Sequence, residues 1–151
     1  MEKDLTVLRR HKKNKSRYGE LYIEDLVESL SKVGLRDPIK IKPDGTILDG
    51  HRRWKATKEL GRNEIEVEVL IQGEDYEDED QYMLDVNLNR QKTFKQRMNE
   101  AQDQREIYER KARKRKKQGQ EVVEGEKGST YEKLAKRFFH DKSREWYRKA
   151  E

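Results

Sequence analysis

Pro43 to Gly61, PDGTILDGHRRWKATKELG, constrains the fold of this chain more than any other stretch. Pro43-Asp44-Gly45 is turn chemistry: Pro sets φ, Asp tolerates the turn and Gly supplies a positive φ where one is needed. Thr46-Ile47-Leu48 is a short strand signal. Asp49-Gly50 breaks it, and from His51 the pattern is helical, with Gly61 where a helix C-terminal glycine belongs. A strand thus feeds a helix through one glycine, and two arginines and a histidine fall in the first helical turn. A helix N-terminus presents unpaired N–H groups and the positive end of the dipole. Gly50 lets a ligand approach the backbone closely. Arg52 and Arg53 add guanidinium forks suited to phosphate oxygens. Two readings stand side by side. One is a phosphate site. The other is a plain Asp-Gly turn followed by solvated arginines. The dipole disfavours cations at this end of a helix, which favours an anion between them.

Along the rest of the chain, Leu5 and Val7 alternate with Thr6 as a weak first strand. Arg9 to Arg17 carries six basic residues and no acid, and reads as a loop or arm. Ile23, Leu26, Val27, Leu30 and Val33 have helical spacing, closed by Gly34 with Leu35 placed for the accompanying contact. Ile39 and Ile41 form a half-buried strand, and Ile65, Val67 and Val69, alternating with glutamates, a clean one. Six of the seven residues from Glu74 to Asp80 are acidic, which suits a solvated loop or the first turn of a helix. Tyr82, Met83, Val86 and Leu88 suggest a short helix ending near Asn89, and Asn87-Leu-Asn-Arg90 is a polar break.

Thr93 with Gln96 has the form of a capping box. It opens a helix whose stripe is Phe94, Met98, Ala101, Tyr108 and Ala112 and which ends in a basic cluster. Seven basic residues and no acid lie between Arg110 and Lys117. Gln118 to Gly128 reads as a flexible loop. Ser129 caps a helix with Tyr131, Leu134, Ala135 and Phe138 on one face. After a turn at His140 to Lys142, Ser143 caps another, carrying Trp146, Tyr147 and Ala150. This pair reads either as a helix-turn-helix or as a helical hairpin that caps the fold. The chain stops at Glu151 inside a helical pattern, which reads as a truncation.

Composition bounds the function. Of 151 residues, 31% are hydrophobic and 44% charged, so a compact α/β unit with projecting helices fits better than one large core. The net charge of +5, with basic residues in clusters, suits a nucleic-acid phosphate backbone. With no cysteine there is no disulfide framework, thiol nucleophile or thiolate metal site. No apolar run approaches membrane-spanning length, and a cytoplasmic protein without membrane contact is expected.

In order and spacing, Ser29 to Gly34, Asp37-Pro38-Ile39, Pro43 to Gly45, Leu48-Asp-Gly-His-Arg-Arg53 and then Asn87 to Arg90 resemble the ParB/sulfiredoxin-fold superfamily, on the ParB side. The resemblance runs from about Leu21 to Tyr108. It implies an α+β fold: a small mixed-sheet ParB/sulfiredoxin-like domain over residues 1–90, then a helical region over 91–151 with a helix-turn-helix that binds DNA. In ParB proteins the Gly-x-Arg-Arg loop grips the phosphates of CTP, which puts nucleotide binding on Gly50, His51, Arg52 and Arg53, with Asn87 and Arg90 from the second motif. That motif is usually Glu-Asn-x-x-Arg, and Val86 stands at its Glu position, which bears on Mg2+-assisted hydrolysis. His51 replaces the usual Glu and is similar to the Asp-Gly-His-x-Arg variant of nucleotide-dependent free-serine kinases. Sulfiredoxin activity is excluded by the absence of cysteine.

The resemblance implies a homodimer that binds double-stranded DNA in partition or regulation. Arg113, Lys114, Arg115, Lys116 and Lys117 are expected on phosphates, with Arg144 and Arg148 as further candidates. Two alternatives remain. One is an enzyme on the same fold, free-serine-kinase-like or a nuclease, with Asp49 and His51 as acid–base candidates. The other is a degenerate domain that binds a protein partner. No metal ligand set is expected, and triphosphatase activity would at most be weak.

Overall fold

Alternation of apolar residues with lysine or glutamate builds the sheet. In a computed structural model that describes residues 1–120 and 129–139, the strands are β1 (Glu2–Asp4), β2 (Arg9–Arg10), β3 (Ile39–Ile41), β4 (Thr46–Asp49) and β5 (Glu64–Val69). They form one mixed sheet in the order β1-β5-β3-β4-β2. β3 runs parallel to β5 and antiparallel to β4; β1 pairs antiparallel with β5 and β2 parallel with β4. Ile39, Ile41, Ile47, Ile65 and Val67 join Leu5 and Leu8 in one buried cluster. Leu48, one residue on from Ile47, joins Leu70, Tyr76 and Met83 in another, as a period of two requires.

The helices of this first unit are α1 (Lys12–Tyr18), α2 (Glu24–Val33), α3 (His51–Glu59) and α4 (Glu79–Val86). α2 and α3 share a cluster of Leu21, Ile23, Leu30 and Ala56. Asp78 caps α4 by accepting from the Gln81 N–H, so the acidic run supplies both the cap and the first turn, where acids suit the dipole. The chain divides into two units, Met1–Asn87 and Leu88–Glu151. In the second, α5 (Phe94–Gln118) is about 37 Å long at 1.5 Å per residue and packs on α6 (Thr130–Phe139) through Ala101, Leu134, Phe138 and Phe139. Thr93 and Gln96 form the expected capping box, and Ser129 with Glu132 forms a second at α6.

Three expectations need correction. Leu5 and Val7 are not a strand. Asp4 accepts from both the N–H and the hydroxyl of Thr6 and winds Leu5–Val7 into a 3-10 turn, while β1 lies just before it. Arg9 to Arg17 is not an arm: Arg9 and Arg10 pair with Thr46 and Ile47, and α1 follows. Two of its cations are taken up by the acidic run, Lys13 meeting Asp80 at 2.9 Å and the 1%-exposed Arg17 meeting it at 3.5 Å. The buried face of α5 carries Glu100, Gln104 and Ile107 with Ala101, whereas Ala112 is exposed. Part of the Gln118–Gly128 loop, the turn at His140 and the helix expected from Ser143 lie outside the described residues.

Candidate functional site

Gly50 makes the strand-to-helix turn. Its φ of 91° is left-handed, and it is the N-cap of α3 without a side chain. A Cβ built there would meet Ile39 Cγ2 at 2.5 Å, so glycine is required by backbone and space together. Ile39 in turn is fully buried in the sheet core, which sets the turn directly against that core.

The arginines leave the first turn of α3 in different directions. The Arg52 guanidinium donates to the Tyr22 carbonyl (2.7 Å) and to Asp25 Oδ1 (2.6 Å), tying α3 to the start of α2. Burial is the largest single effect on Asp25 and works against its charge, but the bond and charge of Arg52 with backbone N–H groups together hold its carboxyl below the ordinary range. Arg53 donates to the Asp37 carbonyl (2.5 Å) and to Asp49 Oδ2 (2.9 Å). Both forks therefore rest on oxygen acceptors at the rim of the loop. His51 is buried, and its Nε2 accepts the His11 backbone N–H at 3.3 Å, which puts the ring proton on Nδ1. As arranged, Asp49 and His51 brace the loop.

A neighbouring cluster had only one signal in the sequence, a basic run and an acidic run of similar length. His11 Nδ1 accepts from the Lys13 N–H, so Nε2 carries the proton and donates to Glu79 at 2.6 Å. Lys42 meets the other Glu79 oxygen at 2.9 Å. Burial raises the Glu79 carboxyl, but the bonds from Lys42 and His11 outweigh it and hold the group below its usual range. Donating that bond to Glu79 pushes the Lys42 ammonium up. His11 thus joins the acidic helix α4, through its ring, to His51 in the loop, through its backbone.

Asn87 follows α4 and donates to the Met83 carbonyl. Val86 is 40% exposed and offers no oxygen where the motif has Glu, and Asp85 accepts from Gln81. These residues do not fit a magnesium ion held by that motif. Among the described residues no group of three or more His, Asp or Glu could hold a metal. Arg90 belongs to the second unit, where it lines a cavity with Lys92 and Arg97. Arg113, Lys114, Lys116 and Lys117 are exposed on the last turns of α5, and Arg115 is half-buried; Arg113 meets Glu109 at 3.4 Å. Arg144 and Arg148 lie outside the described residues. No helix among the described residues is long and apolar enough to cross a membrane.

The profile of the ParB N-terminal domain matches residues 4–88. Among solved structures, a Pnob8-like ParB-N domain is similar at a TM-score of 0.67 and 18% identity, over 99% of this chain and 66% of that one. A second pNOB8-like ParB N-domain gives 0.56 and 17%, over 99% and 62%. The C-terminally truncated chromosome-partitioning protein ParB from Caulobacter crescentus, complexed with CTP-gamma-S, gives 0.48 and 19%, over 75% and 64%. The first two likenesses show the fold; the third is too loose to bear on this chain. This chain spans roughly two thirds of the length of those it resembles. No curated protein matches the sequence.

Proposed function

This chain belongs to the ParB N-terminal domain family, and on that premise we propose that it is a ParB-type DNA-binding protein whose Gly50–Arg53 loop takes the phosphates of a nucleotide, CTP first. The observation that supports this is the loop itself. A left-handed glycine that admits no side chain opens α3, and two guanidinium forks rest beside it on acceptors that a phosphate could replace. The family motif, independently of that geometry, adds Asn87.

The contacts suggest how binding reaches the rest of the first unit. Arg52 and Arg53 hold Asp25 and Asp49 in ion pairs of 2.6 and 2.9 Å. A phosphate that takes both forks releases Asp25, and with it the tie between α3 and the start of α2. A nucleotide then favours the state in which α2 is untied, and acts through its different affinity for two states. In a homodimer that change would alter how protomers associate. With no oxygen ligand at Val86, we assign the loop binding and no metal-assisted hydrolysis.

DNA is held by the cations of α5 from Arg113 to Lys117, all exposed except the half-buried Arg115, which meet phosphates whatever the sequence. Calorimetric titration with CTP, ATP and ADP, with and without duplex DNA, tests the reading. CTP binding that is strengthened by DNA, and abolished by Arg52→Ala in a folded protein, is expected. Unchanged CTP affinity in that variant would remove the loop from the function. Preference for ATP or ADP without DNA would point to a small-molecule acceptor instead.

A further inference from the structure

The strand that leads into the Gly50 turn is irregular just before it. In the pairing of β3 with β4, Ile41 opposes Ile47 and Lys40 opposes Asp49, so Leu48 is left over as a one-residue bulge. A bulge re-aims the side chain that follows it. With strict alternation Asp49 would share the face of Ile47, in the sheet core. The slip sets it opposite Lys40 instead, and residues directly opposite on one face have Cβ atoms about 4.5–5.5 Å apart. That face is the one covered by α4, where Leu48 packs with Met83 and Tyr82 lies against them. Tyr82 senses the whole group: burial raises its hydroxyl, Lys40 lowers it, and Asp49 and Glu68 raise it.

The ion pairs around this bulge are unequal. Asp49 is held by Arg53 at 2.9 Å, with both side chains half-buried. Lys40 meets Glu68 at 3.7 Å, and their side chains are 36% and 49% exposed. A long pair open to solvent contributes little. A phosphate that takes the Arg53 fork adds negative charge beside Asp49 and removes its counter-ion. Anions that close repel, and a half-buried carboxylate needs another cation. Lys40 is placed to supply it. Its ammonium is a compact charge on a flexible four-carbon stem, and Glu68 stays in solvent when that charge leaves.

We infer that Lys40 is a positioning residue for the Gly50–Arg53 loop, exchanging Glu68 for Asp49 when a phosphate draws Arg53 away. The inference rests on the phosphate reading of that loop. The exchange keeps Asp49 neutralised, so Arg53 turns to the ligand without leaving a carboxylate that opposes it. It also gives the bulge at Leu48 a role, since without the slip Asp49 would face away from Lys40.

The test is a double-mutant cycle on the full chain, read by calorimetry at low salt with inorganic tripolyphosphate as the probe. Lys40→Gln is expected to weaken binding about tenfold, within the usual range of coupling between groups. In an Asp49→Asn background there is no carboxylate to neutralise, and Lys40→Gln is expected to change affinity by less than about twofold. Lys40→Arg keeps the charge and is expected to keep the affinity. Lys40→Met and Asp49→Ser complete the same cycle if an amide variant fails circular dichroism. A loss of equal size in both backgrounds would put Lys40 on the phosphate itself and overturn the exchange, as would binding that Lys40→Gln leaves unaltered. Failure of the phosphate reading looks different. Tripolyphosphate that does not bind the unaltered chain, or that binds Arg52→Ala and Arg53→Ala equally well, would remove the loop and the exchange together.

Discussion

Gly50 separates two kinds of glycine requirement that coincide in most turns. Gly34 has a φ of 73°, and a Cβ added there meets nothing within 4 Å; Gly50 has a φ of 91° and a Cβ that would strike Ile39. Gly34→Ala therefore meets only a backbone penalty, about 1–3 kcal/mol, because its φ of 73° with ψ of −171° is a region other residues rarely adopt. Gly50→Ala adds overpacking of a core isoleucine, a further ~1–3 kcal/mol. Urea unfolding should rank the two variants in that order; equal losses would show that Ile39 yields and that the close approach does not constrain the loop. At this scale the sequence was informative. Asp49-Gly50 before a helical pattern located the turn, and Arg52 and Arg53 were singled out with it. Their resting partners were not legible, because Asp25 and Asp37 reach the loop only after α2 and its following turn have folded back upon it.

The elements differ in what the sequence announced. Helices with a local stop signal were read closely: α2 ends at Gly34, α3 at Leu60 before Gly61, and α5 opens on its capping box. Arg9 to Arg17 misled because charge was weighed without its counter-charge. Lys13 and Arg17 are drawn in by Asp80, some sixty residues on, and β2 is a two-residue pairing that no periodicity reveals. The stripe on α5 drifted at Ala112 because its inner face is partly polar, with Glu100 and Gln104 fully buried.

Two expectations belong to α5. Thr93→Ala removes one half of a reciprocal cap and should destabilise the α5–α6 unit by about 1 kcal/mol, read from thermal melting. An unchanged midpoint would mean that packing on α6 alone fixes where the helix begins. Replacing Lys114, Arg115, Lys116 and Lys117 by Gln should weaken DNA binding alike on every sequence. It should also flatten the dependence on log salt by roughly one unit per lost phosphate contact. A salt slope identical to that of the unaltered protein would put the DNA surface elsewhere.

The whole molecule carries a net charge of +5, yet its first unit is organised around carboxylates. Glu79 receives His11 and Lys42, and Asp80 receives Lys13 and Arg17, so α4 gathers α1 and the turn after β3. This arrangement makes stability depend on acid in a definite direction. Burial works against the charge of Glu79, but its hydrogen bonds win, and its carboxyl titrates below the ordinary value of 4.5. Asp25 and Asp44 shift in the same direction from 3.8: at Asp25 burial is the largest single effect but is outweighed by Arg52 with nearby N–H groups, and at Asp44 the Thr46 N–H leads. A group whose folded pKa is depressed contributes stability that is fully present above its unfolded pKa and is lost as pH falls through the folded value. The unfolded chain binds more protons in that window, so stability should be flat near neutrality and decline below about pH 4.5. Glu79→Gln separates this cluster from the other acids. It leaves Lys42 and His11 facing a neutral group, so the variant should be less stable at pH 7 and should lose less on going from pH 5 to pH 3. Chemical denaturation across that range reads both quantities. If the variant and the unaltered chain lost the same amount between those two values, Glu79 would not be the linked group, and the tie between α4 and α1 would rest on Asp80 alone.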